Sequence, residues 1–144
     1  MKSNGFMDKA LGEFLQWKDQ KKLNIATFQE HNLDPKDEDD LIRKAKVKYI
    51  TLIIGFAKKA SDGVHRGGVL IMCDDTTITH TSTKIKEGGI VKVDLVWGGK
   101  NIEFAGIYAP AQALERVNFL QTLRNKINKN TITGGDWNLS LIHI

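Results

Sequence analysis

Apolar residues recur along this chain in two rhythms, one helical and one extended. Met7, Leu11, Phe14 and Leu15 fall at helical spacing, which predicts an amphipathic helix from Met7 to about Gln20. Leu23 to Gln29 (LNIATFQ) is a short, mostly apolar run whose length and flanks favour a buried strand. Asp34-Pro35 marks a turn. Asp37 to Lys48 then reads as a helix, with acids in its first turns and Lys44, Lys46 and Lys48 in its last, both complementing the helix dipole. From Tyr49 to Tyr108 the pattern becomes successive strands: YITLIIGF, GGVLIMC, TTITHTSTK, IVKVDLVW and NIEFAGIY, rich in β-branched and aromatic residues. Turn signals separate them at Ser61-Asp62-Gly63, Asp74-Asp75, Gly88-Gly89 and Gly98-Gly99. The last two runs, joined through Gly98-Gly99-Lys100, predict a hairpin. Leu114, Val117, Leu120, Leu123 and Ile127 predict a further amphipathic helix, and Thr131-Ile132-Thr133 a last short strand. Helix followed by strand points to a layered α/β arrangement.

Length and composition narrow the class. The 144 residues suit one domain, and 41% hydrophobic with 26% charged residues is the mix of a soluble globular protein. The net charge of +4 is compatible with a polyanionic partner, but the charges are scattered. The single cysteine, Cys73, excludes an internal disulfide, fits a reducing compartment and ends an apolar run as a small core residue. The N-terminal residues lack a signal-type apolar stretch, and the run Ile50 to Phe56 is too short to span a bilayer. The expectation is therefore an intracellular protein with no membrane partner.

Polar residues stand at three points where an apolar strand ends. The first is Phe28-Gln29-Glu30. A carboxylate at a strand's end, facing a crevice, can hold magnesium, whose octahedron is completed by water and phosphate oxygens; alternatively Glu30 simply starts a solvated loop. The second is Ile107-Tyr108-Ala109-Pro110. Pro110 ends the strand, and Tyr108 either donates its hydroxyl to a phosphate oxygen or is a half-buried strand-end aromatic. The third is Gly134-Gly135-Asp136-Trp137-Asn138. In extended backbone Asp136 and Asn138 share a face. A carboxylate there can deprotonate water and a carboxamide can donate to a phosphoryl oxygen; the alternative is a Gly-Gly turn with polar caps. His31, His65 and His80 show no metal-ligand spacing and read as surface or strand residues. The acids between Asp34 and Asp40 lack the order and glycine of a calcium loop and read as a solvated helix start.

In this order, FQE (Phe28 to Glu30), IYAP (Ile107 to Pro110) and GGDWN (Gly134 to Asn138) resemble the endonuclease/exonuclease/phosphatase family, also called deoxyribonuclease I-like. His65 to Ile71 resembles its RGG-type strand entry, and Glu115-Arg116 with Phe119-Leu120 its ER..F helix. The form with GG before DWN looks most like the endonuclease domains of LINE-type retrotransposons. Relatives of similar pattern include apurinic/apyrimidinic endonucleases and lipid or inositol phosphate phosphatases. The resemblance implies an α/β fold of two face-to-face β-sheets with outer helices, a four-layer sandwich. It implies hydrolysis of a phosphodiester in DNA with Mg2+, or Mn2+ in its place. Glu30 matches the metal-binding glutamate, Tyr108 the tyrosine on the scissile phosphate, Asp136 the water-aligning aspartate and Asn138 the asparagine beside it. Asn4-Gly5 resembles the second half of the family's N-x-N-G entry, making Asn4 an accessory candidate. DNA is the implied partner. A reverse-transcriptase region in the same parent polypeptide, and a nuclear location, belong to the parent element.

Two departures bear on activity. Lys2 stands where the family has its first asparagine, and lysine offers no acceptor to a metal. No S-D-H motif follows Asn138. Residues 1–138 are thus expected to be the N-terminal part of one domain, incomplete and inactive alone. An alternative of another class is a non-catalytic remnant that binds nucleic acid weakly. Leu139 to Ile144 do not resemble the family's continuation. They resemble a translated transposase adapter, and are expected to be a non-native tail. Glu30, Tyr108, Asp136 and Asn138 are expected to converge on one rim of the sheets.

Overall fold

The structure is a computed structural model. It describes residues 3–21, 23–59, 61–63, 67–87 and 89–136; of Ser3, Asn4, Lys21 and Asp136 only the backbone is described. Asn138, His65, Arg66, Gly88 and the tail 139–144 lie outside the described residues.

The first helix, α1 (Ser3–Lys21), starts earlier than its apolar spacing predicts. Met7, Ala10, Leu11 and Phe14 form its buried stripe, at the i, i+3, i+4, i+7 positions that line one side of an α-helix. Strand β1 (Ile25–Gln29) follows. Asp34 then caps a short 3-10 turn (Pro35–Asp37), its side chain accepting from the Lys36 amide. That turn leads into α2 (Glu38–Val47), which buries Leu41 and Ala45. Next come β2 (Ile50–Gly55), β3 (Val69–Asp74), β4 (Ile78–Lys86), β5 (Ile90–Trp97) and β6 (Lys100–Tyr108). Helix α3 (Ala113–Leu123) and β7 (Ile132–Asp136) complete the described chain.

The strands form two sheets, in the orders β1-β3-β2 and β4-β5-β6-β7. All pairings are antiparallel except β6 with β7, which run parallel through the crossover that α3 supplies. The predicted hairpin is present: Trp97 pairs with Lys100 across Gly98-Gly99.

The period-2 alternation of each strand assigns its side chains to layers. On the smaller sheet, Leu52, Ile54, Leu70 and Met72 meet α1 and α2. The opposite face presents Ile53, Val69, Ile71 and Cys73 to Ile78, Val91, Val93, Leu95 and Phe104 of the larger sheet. The far side of the larger sheet packs Ile90, Ala105 and Ile107 on Leu123, with Phe119 and Leu120 of α3 beside them. The order is helices, sheet, sheet, helix: the α/β sandwich of face-to-face sheets. Strand β3 is buried along its whole length, which explains its apolar run from Val69 to Cys73. Each such side chain contributes about 1.5–3 kcal/mol by leaving water.

Helix α3 departs from expectation. Leu123 is buried, but Leu114 is 77% and Val117 51% exposed. The reason is geometric. An α-helix turns about 100° per residue, so steps of three fall short of a full turn by about 60° each. Over the nine residues from Leu114 to Leu123 the shortfall amounts to about half a circle, and the two leucines face opposite ways.

Candidate active site

The antiparallel register of the smaller sheet brings Gln29, Gly55 and Val69 to one end. Tyr108 and Asp136 are the last residues of β6 and β7. Glu30, immediately after β1, takes a left-handed backbone conformation (φ 55°). Its amide donates to Gly68 O at 2.9 Å. Its carboxylate Oε1 accepts from Tyr108 Oη at 2.6 Å. Tyr108 points from the larger sheet into the interface between sheets, packing at the edge of that core. This hydrogen bond therefore joins the two sheets at their rim. The Tyr108 amide donates to Gly89 O at 2.9 Å.

Asp136 pairs with Tyr108 in the parallel register of β6 and β7. Gly135 makes that pairing possible: a Cβ there would lie 2.0 Å from Ile107 O, and its φ is 131°. The backbone of Asp136 thus sits beside Tyr108, whose hydroxyl meets Glu30. Asn4 lies in the first turn of α1. Two residues later the Phe6 ring meets His31 edge-on, with centroids 6.5 Å apart, so the helix begins at the same end of the fold. A cleft lined by Phe56, Lys58, Gly68, Tyr108, Pro110 and Phe119 opens beside Tyr108. Arg116 of the ER pair donates to Ala111 O at 2.8 Å, bracing the turn after Pro110.

Two residues outside the expected set change the picture. His31, read from sequence as a surface or strand residue, is only 3% exposed. Burial pushes its pKa down, the bond to Gly55 O acting the other way. Its position directly after Glu30 was the only sequence signal. Asp74, at the far end of β3, is also buried and pairs with Lys18 at 3.3 Å. Cys73 is the core residue expected: burial, then Asp75 and Asp74, push its thiol up to about 12, far from a thiolate at neutral pH.

Among the described residues no group of three or more His, Cys, Asp and Glu could hold a metal ion. Among the described side chains the donor chemistry of the rim is an exposed carboxylate, Glu30, beside a hydroxyl. That suits a hard cation that takes one or two carboxylates and keeps water and phosphate oxygens for the rest, as magnesium does. It does not suit a thiolate or imidazole cage. Among the described residues no helix is long and apolar enough to cross a membrane.

No family model and no curated protein matches the chain. Solved structures do. Humanized D. rerio TDP2 shares 14% identity at a TM-score of 0.62, over 94% of this chain and 61% of that one. The human Nocturnin catalytic domain with bound sulfate shares 12% at 0.59, over 94% and 58%. The endonuclease domain of TRAS1, a telomere-specific non-LTR retrotransposon, shares 17% at 0.55, over 91% and 54%. The chain thus spans little more than half the length of the structures it matches. At this identity the likeness is one of fold, and all three belong to a single superfamily. The chain has the fold of the endonuclease/exonuclease/phosphatase, or deoxyribonuclease I-like, superfamily.

Proposed function

We propose that this chain carries part of a magnesium-dependent phosphodiesterase site whose parent domain nicks DNA. The observation that supports the reading best is the 2.6 Å hydrogen bond from Tyr108 to Glu30, with Asp136 in register beside Tyr108. In this reading Glu30 is the metal-binding carboxylate, with Mn2+ able to replace Mg2+. The bound cation supplies charge neutralisation on the leaving oxygen. Tyr108 donates to the phosphate, and its bond to Glu30 orients the hydroxyl before substrate arrives. Asp136 aligns and deprotonates the attacking water, and Asn138 donates to a phosphoryl oxygen. Asn4 is an accessory at the same end.

DNA as substrate draws support from the neighbours. One is described as D. rerio TDP2 complexed with single strand DNA product, at 15% identity and a TM-score of 0.58. Another is a retrotransposon endonuclease domain. The GGDWN and ER..F motifs, with the TRAS1 endonuclease domain among the neighbours, favour a LINE-type element over repair or lipid-phosphate relatives. A reverse-transcriptase region in the parent polypeptide belongs to the same proposal. Cleavage is proposed for the whole domain, and weak or no cleavage for these 144 residues alone.

A second reading, nucleic-acid binding without cleavage, draws on the sequence: Lys2 stands where the family pattern has its first asparagine, and lysine offers no acceptor to a metal. Supercoiled plasmid incubated with Mg2+ and either the purified chain or the full parent domain separates the two. Nicking that vanishes in Asp136→Ala and falls about 10²-fold in Tyr108→Phe supports the hydrolase. Retardation of the plasmid on a gel, with nicking by neither this chain nor the full parent domain, supports the binding reading. Nicking that both variants retain would overturn these site assignments.

A further inference from the structure

We propose that His31 is a positioning residue for Glu30: a doubly hydrogen-bonded imidazole that locks the rim turn and so sets the carboxylate against Tyr108. The proposal rests on the reading that Glu30 and Tyr108 act together.

The bonds define the ring's state. His31 Nε2 lies 2.9 Å from Gly55 O. A carbonyl oxygen only accepts, so Nε2 carries the proton. The Leu33 amide donates to Nδ1 at 2.9 Å, so Nδ1 carries none. The ring is thus a neutral imidazole of one tautomer, tying the turn after β1 to the last residue of β2. Phe56 meets it edge-on at 5.8 Å and Phe6 at 6.5 Å, which fixes the ring plane.

The backbone around it is built for this ring. A Cβ on Gly68 would lie 2.3 Å from His31 Nε2 and 2.8 Å from Gly55 O, so only glycine admits the imidazole there. Gly68 O accepts from the Glu30 amide at 2.9 Å, and Gly67 O from the Asn32 amide at 3.0 Å. The Gly67 amide donates in turn to Asn32 Oδ1 at 2.6 Å. Glu30 and Asn32, on either side of His31, both have positive φ, 55° and 53°. Non-glycine residues adopt that conformation only where their surroundings over-determine it. Here the imidazole between them acts together with the bonds to Gly67 and Gly68. Among the described residues no hydrogen bond other than that of the imidazole ties the turn to β2, and without it Glu30 loses the orientation that brings Oε1 to Tyr108.

The test uses the intact chain in a Tyr49→Phe background, which leaves Tyr108 as its single tyrosine. The tyrosine Raman doublet reports whether the Tyr108 hydroxyl donates strongly, and Mn2+ titration followed by electron paramagnetic resonance reports the carboxylate. His31→Phe keeps a ring and loses both bonds; His31→Gln can keep the donor to Gly55 O. Circular dichroism selects the variants that fold. The expected result is loss of the strong-donor signature and about tenfold weaker Mn2+ binding in His31→Phe, with partial recovery in His31→Gln. An unchanged doublet and an affinity within about twofold in a folded His31→Phe would overturn the proposal. So would a protonated Nδ1 in the 15N spectrum of the unmutated ring, a measurement that needs no folded variant. Absence of Mn2+ binding before any change at His31 would sink the metal reading instead, and the doublet alone would then decide on His31.

Discussion

At the scale of single residues, the contrast between Glu30 and Asp74 separates chemistry from structure. Glu30 is exposed, and its carboxylate is held by one hydroxyl at the rim. Asp74 is buried at the opposite end of its sheet. Burial alone would raise its carboxyl. The Thr76 hydroxyl at 2.8 Å, the Thr76 amide at 3.1 Å and the Lys18 ammonium at 3.3 Å outweigh it and hold it below the ordinary value. A carboxyl depressed in the folded state adds stability that is fully present above its unfolded pKa. That stability is lost as pH falls through the folded value. The window therefore opens below about pH 3.8, the ordinary value. Urea midpoints between pH 5 and pH 2 are expected to fall more steeply for the unmutated chain than for Asp74→Asn. Parallel slopes would show that the Thr76 and Lys18 contacts do not persist in solution. None of this was legible in Asp74-Asp75, which reads as a plain turn signal.

At the scale of elements, periodicity located every strand and helix to within a few residues but misjudged one face. The i+3 spacing of α3 looks amphipathic only until the drift of the helix is counted. Leu123→Ala is expected to cost about 2–5 kcal/mol, as for other buried leucines. Leu114→Lys is expected to stay within about 0.5 kcal/mol. Both are read from urea unfolding at one pH. Equal costs would mean that a partner covers Leu114 in solution. Strand β4 shows the opposite care. It is a sheet edge, largely exposed, and its pairing with β5 is interrupted between His80 and Ser82 and between Thr83 and Ile85. Such irregularities and its lysines discourage edge-to-edge pairing.

For the whole molecule, the edge formed by β7 lacks that protection. Among the described residues β7 pairs only with β6, and Ile132 on it is 53% exposed. An unpaired edge with an apolar side chain templates association with other chains. Self-association of the 144-residue chain is therefore expected in sedimentation velocity at micromolar concentration, and Ile132→Lys is expected to reduce it. A monomer with one cooperative urea transition would refute this. The apolar runs YITLIIGF and GGVLIMC, hazardous if exposed, are for the most part buried. Strand β3 is the central strand of its sheet, and β2 is buried along most of its length. The salt bridges Lys44 to Asp8 and Lys86 to Glu38 join elements far apart in the chain, but as exposed pairs they add little.

The sequence by itself determined the elements, the layered class and the three strand ends that carry polar residues. It could do so because helix and strand periods are local, and because apolar runs that stop at Glu30, Pro110 and Asp136 mark where the sheets meet water. Tertiary structure alone decided that β1 pairs with β3 and that Tyr108 crosses the interface to Glu30. It decided too that Gly135 yields to Ile107 O, and that His31 lies inside the turn instead of on the surface. The Tyr108 to Glu30 contact spans 78 positions in the chain. Nothing within a local window distinguishes a histidine that water surrounds from one that Gly55 O and the Leu33 amide clasp. That difference arises only when three segments, each soluble in its own pattern, are brought together and must satisfy one another's hydrogen bonds out of water.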